Sequence, residues 1–131
     1  MLPIQAAIGT CALDELDTWV THRRAIASIY NSVLKECEGV RVTLPPDNVY
    51  HAYYKYYFFL DPNKFKISRD QLISQITGKD VFCQVGSCGE VYKEHALAEF
   101  APSRELEIAK KLFQTAILLL CDPTISKNIA K

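Results

Sequence analysis

The run His51-Ala52-Tyr53-Tyr54-Lys55-Tyr56-Tyr57-Phe58-Phe59-Leu60 constrains the fold of this chain more than any other segment. It is dense in aromatic residues, contains no good helix-forming stretch, and is bounded by breakers. Pro45-Pro46-Asp47-Asn48 stands before it and Asp61-Pro62-Asn63 after it. The alternation predicts a strand over 50–60. One face carries Tyr50, Ala52, Tyr54, Tyr56, Phe58 and Leu60; the other carries His51, Tyr53, Lys55, Tyr57 and Phe59. Bulky side chains on both faces predict a central strand covered from both sides. A chain organised around such a strand must supply other elements to pack on it.

The remaining sequence supplies them. From Ile4 to Cys37 the pattern is helical. Leu13, Leu16 and Val20 share a face, and Ile26, Tyr30, Val33, Leu34 and Cys37 continue the stripe. Gly9 weakens the first turns, Gly39 is placed to end the helix, and Trp19 reads as a packing anchor. Val40 to Leu44 has the makings of a short strand. Ser68-Arg69-Asp70-Gln71 has the form of a capping box. It opens a helix with Leu72, Ile73 and Ile76 on its apolar face, stopped by Gly78. Val81 to Val85 alternates as a strand, Gly86 to Gly89 forms a loop, and Glu90 to Phe100 is partly helical. A helix capped by Ser103 is expected to hold Leu106, Ile108, Ala109, Leu112 and Phe113. Ala116 to Leu120 reads as a buried strand because Asp122-Pro123 follows it, and Thr124 as the cap of a further helix. The expected class is α/β or α+β: a long first helix and about three strands, mainly antiparallel, packed with helices in one domain.

The length of 131 residues and the 49% hydrophobic content suit a single core. A formal charge of zero gives no steering toward nucleic acid or an anionic membrane. The longest apolar run, Ala116 to Cys121, is too short for a membrane span, and no leader is visible. A soluble, cytoplasmic protein is expected. Cys11, Cys37, Cys83, Cys88 and Cys121 have neither disulfide-framework nor zinc-ligand spacing. Buried free thiols are the expected state.

Few residues offer chemistry of their own. Gly86-x-x-Gly89 is too short for a phosphate loop and reads as a turn. Cys88, Glu90 and His95 are the ingredients of a thiol nucleophile with a base, but their spacing alone does not assemble one. His51 among tyrosines could bind a phosphate or sugar hydroxyl; a hydrogen-bonded histidine at a strand end is the favoured alternative. Lys55 is the one lysine inside an apolar run, and its stem can snorkel outward.

Several blocks resemble the DegT/DnrJ/EryC1/StrS sugar aminotransferase family. Ile4-Gln5-Ala6-Ala7-Ile8-Gly9, then Leu13, Leu16, Asp17 and Arg23-Arg24, are similar to the helix opening that family's C-terminal domain. His51 to Tyr56 falls where the family carries H-x-Y-H-x-Y. Gly86-Ser87-Cys88-Gly89-Glu90-Val91-Tyr92 resembles a G-S-C-x-E-I-Y stretch of one branch. Ala116 to Ile125 looks like the terminal strand followed by H-P-T-L-T. The chain departs from the pattern at Leu2-Pro3, at Tyr54 and at Asp122, where the family has T-E and two histidines.

The resemblance implies the aspartate-aminotransferase fold and a pyridoxal-phosphate enzyme. Such an enzyme moves an amino group, commonly from glutamate, onto a nucleotide-linked keto sugar, and works as a homodimer. It implies that residues 1–131 form the small C-terminal domain, with Met1 falling on an internal methionine. The cofactor-anchoring lysine and phosphate contacts would lie in a large N-terminal domain outside this sequence. No cofactor is expected to bind this fragment, which is expected to be inactive alone. His51, Tyr53 and Tyr54 are the implied substrate-side residues, with Cys88, Glu90 and Tyr92 as a second set. A stand-alone, non-catalytic interaction module using the same fold is the alternative. Self-association through the first helix is also expected.

Overall fold

A computed structural model describes residues 1–126. Helices α1 (Pro3–Asp14) and α2 (Leu16–Leu34) lead into strands β1 (Val40–Val42) and β2 (Lys55–Leu60). Helix α3 (Arg69–Thr77), strand β3 (Cys83–Gln84), two short 3-10 turns, helix α4 (Glu107–Thr115) and strand β4 (Ala116–Leu120) follow. The four strands form one antiparallel sheet in the order β1-β2-β4-β3. The aromatic strand is therefore central, and its long partner is the buried run Ala116–Leu120. Tyr56 pairs with Leu119 and Phe58 with Ile117. The architecture is α+β, and its four strands fall within the four segments that the sequence marked.

Register explains the core. Paired residues share a face of the sheet, so Val40, Val42, Tyr56, Phe58, Leu60, Ile117, Leu119 and Cys83 point the same way. α2 lies on that face with Ile26 and Ala27, both fully buried. Two tyrosine hydroxyls enter this core and neither is left without a partner. Tyr56 donates to Asn31 Oδ1 at 2.6 Å, and Tyr30 donates to the Leu120 carbonyl at 3.0 Å. Burial pushes the Tyr56 phenol far above its ordinary range, and the neighbouring Tyr53, Cys121 and Tyr30 add to the effect. The opposite face, with Lys55, Tyr57 and Phe59, is only half-buried. The strand is thus covered fully on one side, not on both.

The capping box at Ser68 forms as its sequence predicts. Ser68 Oγ accepts from Gln71 N, and the Gln71 side chain accepts from Ser68 N. Gly78 caps the end of α3.

Other expectations need correction. The first helix is two helices, interrupted at Glu15 rather than at Gly9. α2 ends at Leu34, and Gly39 serves the next turn instead, with φ +83°. Trp19 is 37% exposed and stands outside the core cluster of the described residues. The strand over 50–60 starts only at Lys55. His51 Nδ1 accepts from Tyr53 N, and Tyr53 takes φ +46°, which turns the backbone before the ladder begins. β3 is reduced to two residues between positive-φ turns at Asp80 and Gly86. α4 starts four residues after Ser103, and its Ile108 is 78% exposed. Cys83 and Cys121 are buried, but Cys11, Cys37 and Cys88 are exposed. Asp122 Oδ1 accepts from both Thr124 N and Oγ1, so Asp122 is the residue that caps that turn. The helix expected after Thr124 lies outside the described residues.

Candidate functional site

The half-buried face of the sheet carries the site. His51, Tyr53, Lys55, Tyr57 and Phe59 line a cleft of about 270 Å³, closed on the β1 side by Thr43 and Pro45. Alternation along the aromatic run places Lys55, Tyr57 and Phe59 side by side. The turn at Tyr53 then folds His51 and Tyr53 over the end of that row. Their rings meet edge to face at 4.4 Å. Phe59 is also a wall of a second hollow of about 600 Å³, which Arg41, Lys111 and Leu112 help to line.

The hydrogen bond at His51 fixes its chemistry. Nδ1 accepts from the Tyr53 amide at 3.0 Å. In the neutral imidazole the proton then sits on Nε2, leaving an N–H donor for a ligand oxygen. Arg24 holds the same residue by donating to the His51 carbonyl at 3.0 Å. Tyr53 is buried, and its ring stacks on Tyr56 at 6.2 Å, so the cleft wall is rigidly backed.

Tyr54 goes elsewhere. It is 71% exposed, lies under the Arg23 guanidinium at 5.4 Å, and does not line the cleft. Sequence reasoning grouped His51, Tyr53 and Tyr54; the structure brings the first two together and sends the third to a neighbouring surface. It also adds Lys55, Tyr57 and Phe59. Their shared face with His51 and Tyr53 was legible in the alternation, but not that this face stays open.

Glu90 and Tyr92 form a different locus. Tyr92 donates to Glu90 at 2.8 Å, and Lys93 bridges Glu90 and Glu105, both at 2.9 Å. Lys110 pairs with Glu105 at 2.7 Å. The Leu106 amide donates to the Tyr92 hydroxyl. Hydrogen bonds from Lys93 and then Tyr92 hold the Glu90 carboxyl below its ordinary range. Those from Lys110 and Lys93 bring Glu105 down to about 2. These carboxylates are held ionised and saturated, which is a clamp rather than a base awaiting a proton. The clamp fastens the 86–100 segment to the start of α4. Gly89 shows how close that approach is: a Cβ there would stand 2.6 Å from Phe113 Cβ. Cys88 is exposed and donates to Glu94, not to His95, so no thiol–imidazole pair forms.

The described lysines do not fit the anchoring role of a pyridoxal-phosphate enzyme. That role needs a desolvated amine with a lowered pKa. The Glu105 and Glu90 carboxylates push Lys93 upward, and Glu105 does the same to Lys110. Lys55 is half-buried, and Lys35, Lys64, Lys66, Lys79 and Lys111 are exposed. Among the described residues no three His, Cys, Asp or Glu side chains gather as metal ligands. No described helix is long and apolar enough to cross a membrane.

Comparison with known proteins gives this geometry its context. The X-ray structure of the aminotransferase from Psychrobacter cryohalolentis superposes with a TM-score of 0.89 at 28% identity. The match covers 99% of this chain and 36% of that one. A GDP-4-keto-6-deoxymannose-3-dehydratase structure with a trapped PLP-glutamate geminal diamine shares the fold at 15% identity, with a TM-score of 0.79. That match covers 95% of this chain and 32% of the other. These neighbours define an α+β unit of the pyridoxal-phosphate aminotransferase fold. In sequence, the dTDP-4-amino-4,6-dideoxy-D-glucose transaminase of Shigella dysenteriae is 25% identical over 84 residues, which is 64% of this chain and 23% of that protein. The chain belongs to the DegT/DnrJ/EryC1/StrS aminotransferase family, which matches it over residues 1–131. It spans about a fifth of the length of the curated relatives and about a third of the structural ones.

Proposed function

We propose that this chain is the C-terminal small domain of a pyridoxal-phosphate aminotransferase acting on a nucleotide-linked keto sugar, with glutamate as the amino donor. The parent enzyme is a cytoplasmic homodimer. The observation that carries this reading is the superposition of 99% of the chain on 36% of an aminotransferase at a TM-score of 0.89. The Shigella relative, whose name is that of an amino-sugar transaminase, supports the substrate class.

In this reading the cofactor supplies the electron-withdrawing chemistry and the chain supplies positioning. The Nε2–H of His51 donates to a sugar oxygen, and Tyr53, Tyr57 and Phe59 form an apolar wall that excludes water. Glu90 and Tyr92 act on the substrate side as a brace, their clamp holding the 86–100 loop that carries Cys88 while the cleft is loaded. The fragment alone performs no transamination, because none of its described lysines is in the required environment.

A chimera tests the proposal. This chain replaces the corresponding third of the Psychrobacter aminotransferase, and glutamate-dependent amination of that enzyme's keto sugar is assayed. The expected result is a folded chimera that turns over, with a His51→Ala version raised in KM. A folded chimera that binds pyridoxal phosphate yet shows no turnover contradicts the reading.

A further inference from the structure

We propose that the His51 ring is a proton-sensitive latch that sets the shape of the cleft: its neutral form holds the Tyr53 backbone in a left-handed turn, and protonation releases that turn. His51 is then a positioning residue as well as a wall. The consequence for turnover rests on the functional reading above; the latch itself belongs to the 131-residue chain whatever fills the cleft.

The first observation is a strained backbone with a visible restraint. Tyr53 has φ +46°. Left-handed backbone is disfavoured for a bulky residue and persists only where its surroundings over-determine it. The restraint here is local: Tyr53 N donates to His51 Nδ1 at 3.0 Å. A side chain that accepts from the amide two residues on is the device by which asparagine and aspartate build tight turns. An imidazole takes their place in this chain. The Tyr53 ring is buried and stacks on Tyr56, so the core holds the ring while His51 holds the backbone.

The second observation is that His51 is itself pinned on both sides. Its amide donates to the Val49 carbonyl at 3.1 Å, and its carbonyl accepts from Arg24 Nη1 at 3.0 Å. Its ring meets Tyr53 edge to face at 4.4 Å. The ring nitrogen is thus delivered to the Tyr53 amide by bonds that do not depend on the ring's charge.

The third is what a proton does there. Only the neutral ring has an acceptor nitrogen; the imidazolium carries N–H at both positions. Protonation sets a donor against the Tyr53 N–H, and the turn loses its bond. The charged and titratable groups around the ring are Arg24 of α2 with Tyr50 beneath it, Lys55, Tyr56 and Tyr57 of β2, and Tyr53 itself. Thr43 and Pro45 close the β1 side, and no carboxylate lines the cleft, so its walls offer an imidazolium no counter-charge. Release is confined to the turn, because the ladder of β2 with β4 begins at Lys55. His51 and Tyr53 cover the end of the row Lys55, Tyr57 and Phe59, and the cleft opens at that end.

The test is nuclear magnetic resonance of the isotope-labelled 131-residue chain from about pH 8 to about pH 5, the interval in which histidines change charge. At the upper end the ring should carry its proton on Nε2. The Tyr53 amide shift and the His51 ring C–H shifts should follow one titration. Exchange protection of the Tyr53 amide should fall about tenfold as that bond is lost, while amides of β2 and β4 keep theirs. His51→Asn supplies an acceptor that takes no proton in this interval, and should keep Tyr53 protected throughout. His51→Ala should leave it unprotected throughout. Circular dichroism checks that each variant folds; if His51→Ala does not, the unsubstituted chain against His51→Asn decides alone. A proton on Nδ1 at the upper end, Tyr53 protection that does not follow His51, or an asparagine variant that titrates like the unsubstituted chain each overturns the proposal. The chimera separates the two readings. Its KM for nucleotide sugar should rise several-fold through the His51 titration, and His51→Asn should remove that rise. A titrating latch in an active chimera whose KM does not follow it shows that the turn does not shape the cleft, and the proposal fails. If the isolated chain titrates as stated while the chimera is inert, the latch stands and the functional reading fails. If the chimera turns over while the Tyr53 amide ignores His51, the latch is wrong and the functional reading stands.

Discussion

Helices α1 and α2 are separated by a single residue, yet they are made for different surroundings. α2 buries Val20, Ile26 and Ala27 and leaves Arg23 and Arg24 half-buried. α1 buries nothing: Ile4, Ile8 and Leu13 are each about two-thirds exposed. No charged side chain occurs from Leu2 to Leu13. A helix that is apolar on all sides is an interior element, and none of the described residues encloses α1. α2 is packed into this fold, whereas α1 presents apolar side chains that the described residues leave uncovered. Their cover is what the proposed parent enzyme would provide, since the chain spans about a third of its structural relatives.

The largest effect that sharpens this contrast lies in the core. Ile117 is fully buried between β2 and the helices, so Ile117→Ala should cost about 2–5 kcal/mol. Ile8→Ala in α1 should change stability by no more than about 0.5 kcal/mol. Urea midpoints measure both, and a comparable loss at Ile8 would break the comparison.

Glycines give the next largest effect, with opposite signs. Gly86 has φ +91°, and a Cβ there would meet the Tyr57 ring at 2.6 Å. Gly86→Ala should therefore destabilise by about 1–3 kcal/mol from backbone strain alone. Gly9 has nothing within 4 Å, and Gly9→Ala should stabilise α1 by up to about 1 kcal/mol. Thermal melts and helical ellipticity distinguish the two outcomes.

The two regions should also differ in pH response. Glu105 has an ordinary pKa of 4.5, lowered to about 2 in the fold by Lys110 and Lys93. Its contribution is complete above 4.5 and lost as pH falls toward 2. Amides of 90–106 should lose exchange protection in that window before those of β2 and β4. Cys121 runs the other way: burial raises its thiol from 9.0 to about 12. Its contribution is complete below 9 and lost as pH rises toward 12, and Cys121→Ala should flatten that limb. Simultaneous loss of both segments at acid pH would contradict a separate clamp.

The smallest effect is association. Ile4→Glu/Ile8→Glu should abolish concentration-dependent association in sedimentation velocity while leaving the core spectrum unchanged. A monomer at every concentration in the unsubstituted chain would show that α1 tolerates water.

These contrasts mark what the sequence could disclose. The strands in the aromatic run and at Ala116–Leu120, and the Ser68 cap, follow from local pattern and were legible; the pairing of those two strands was not, because it joins segments about sixty residues apart. The late start of β2 was not, because it depends on a hydrogen bond from the Tyr53 amide to the His51 ring that alternation does not encode. The exposure of Leu13, Ile108 and Leu112 was equally hidden: periodicity marks an apolar face but not what covers it. His51 and Tyr53 were legible as site candidates through their motif. That Tyr54 stands apart from them was hidden, because the turn at Tyr53 sends neighbouring side chains to different surfaces.

The central claim is that this chain positions substrate for chemistry whose anchoring lysine lies in another domain. Borohydride reduction with pyridoxal phosphate, followed by peptide mass spectrometry, tests it most directly on the 131-residue chain and the chimera together. The account predicts stoichiometric labelling of one lysine in the Psychrobacter part of the chimera, and none in the isolated chain. Stoichiometric labelling of a single lysine within the isolated chain would contradict it.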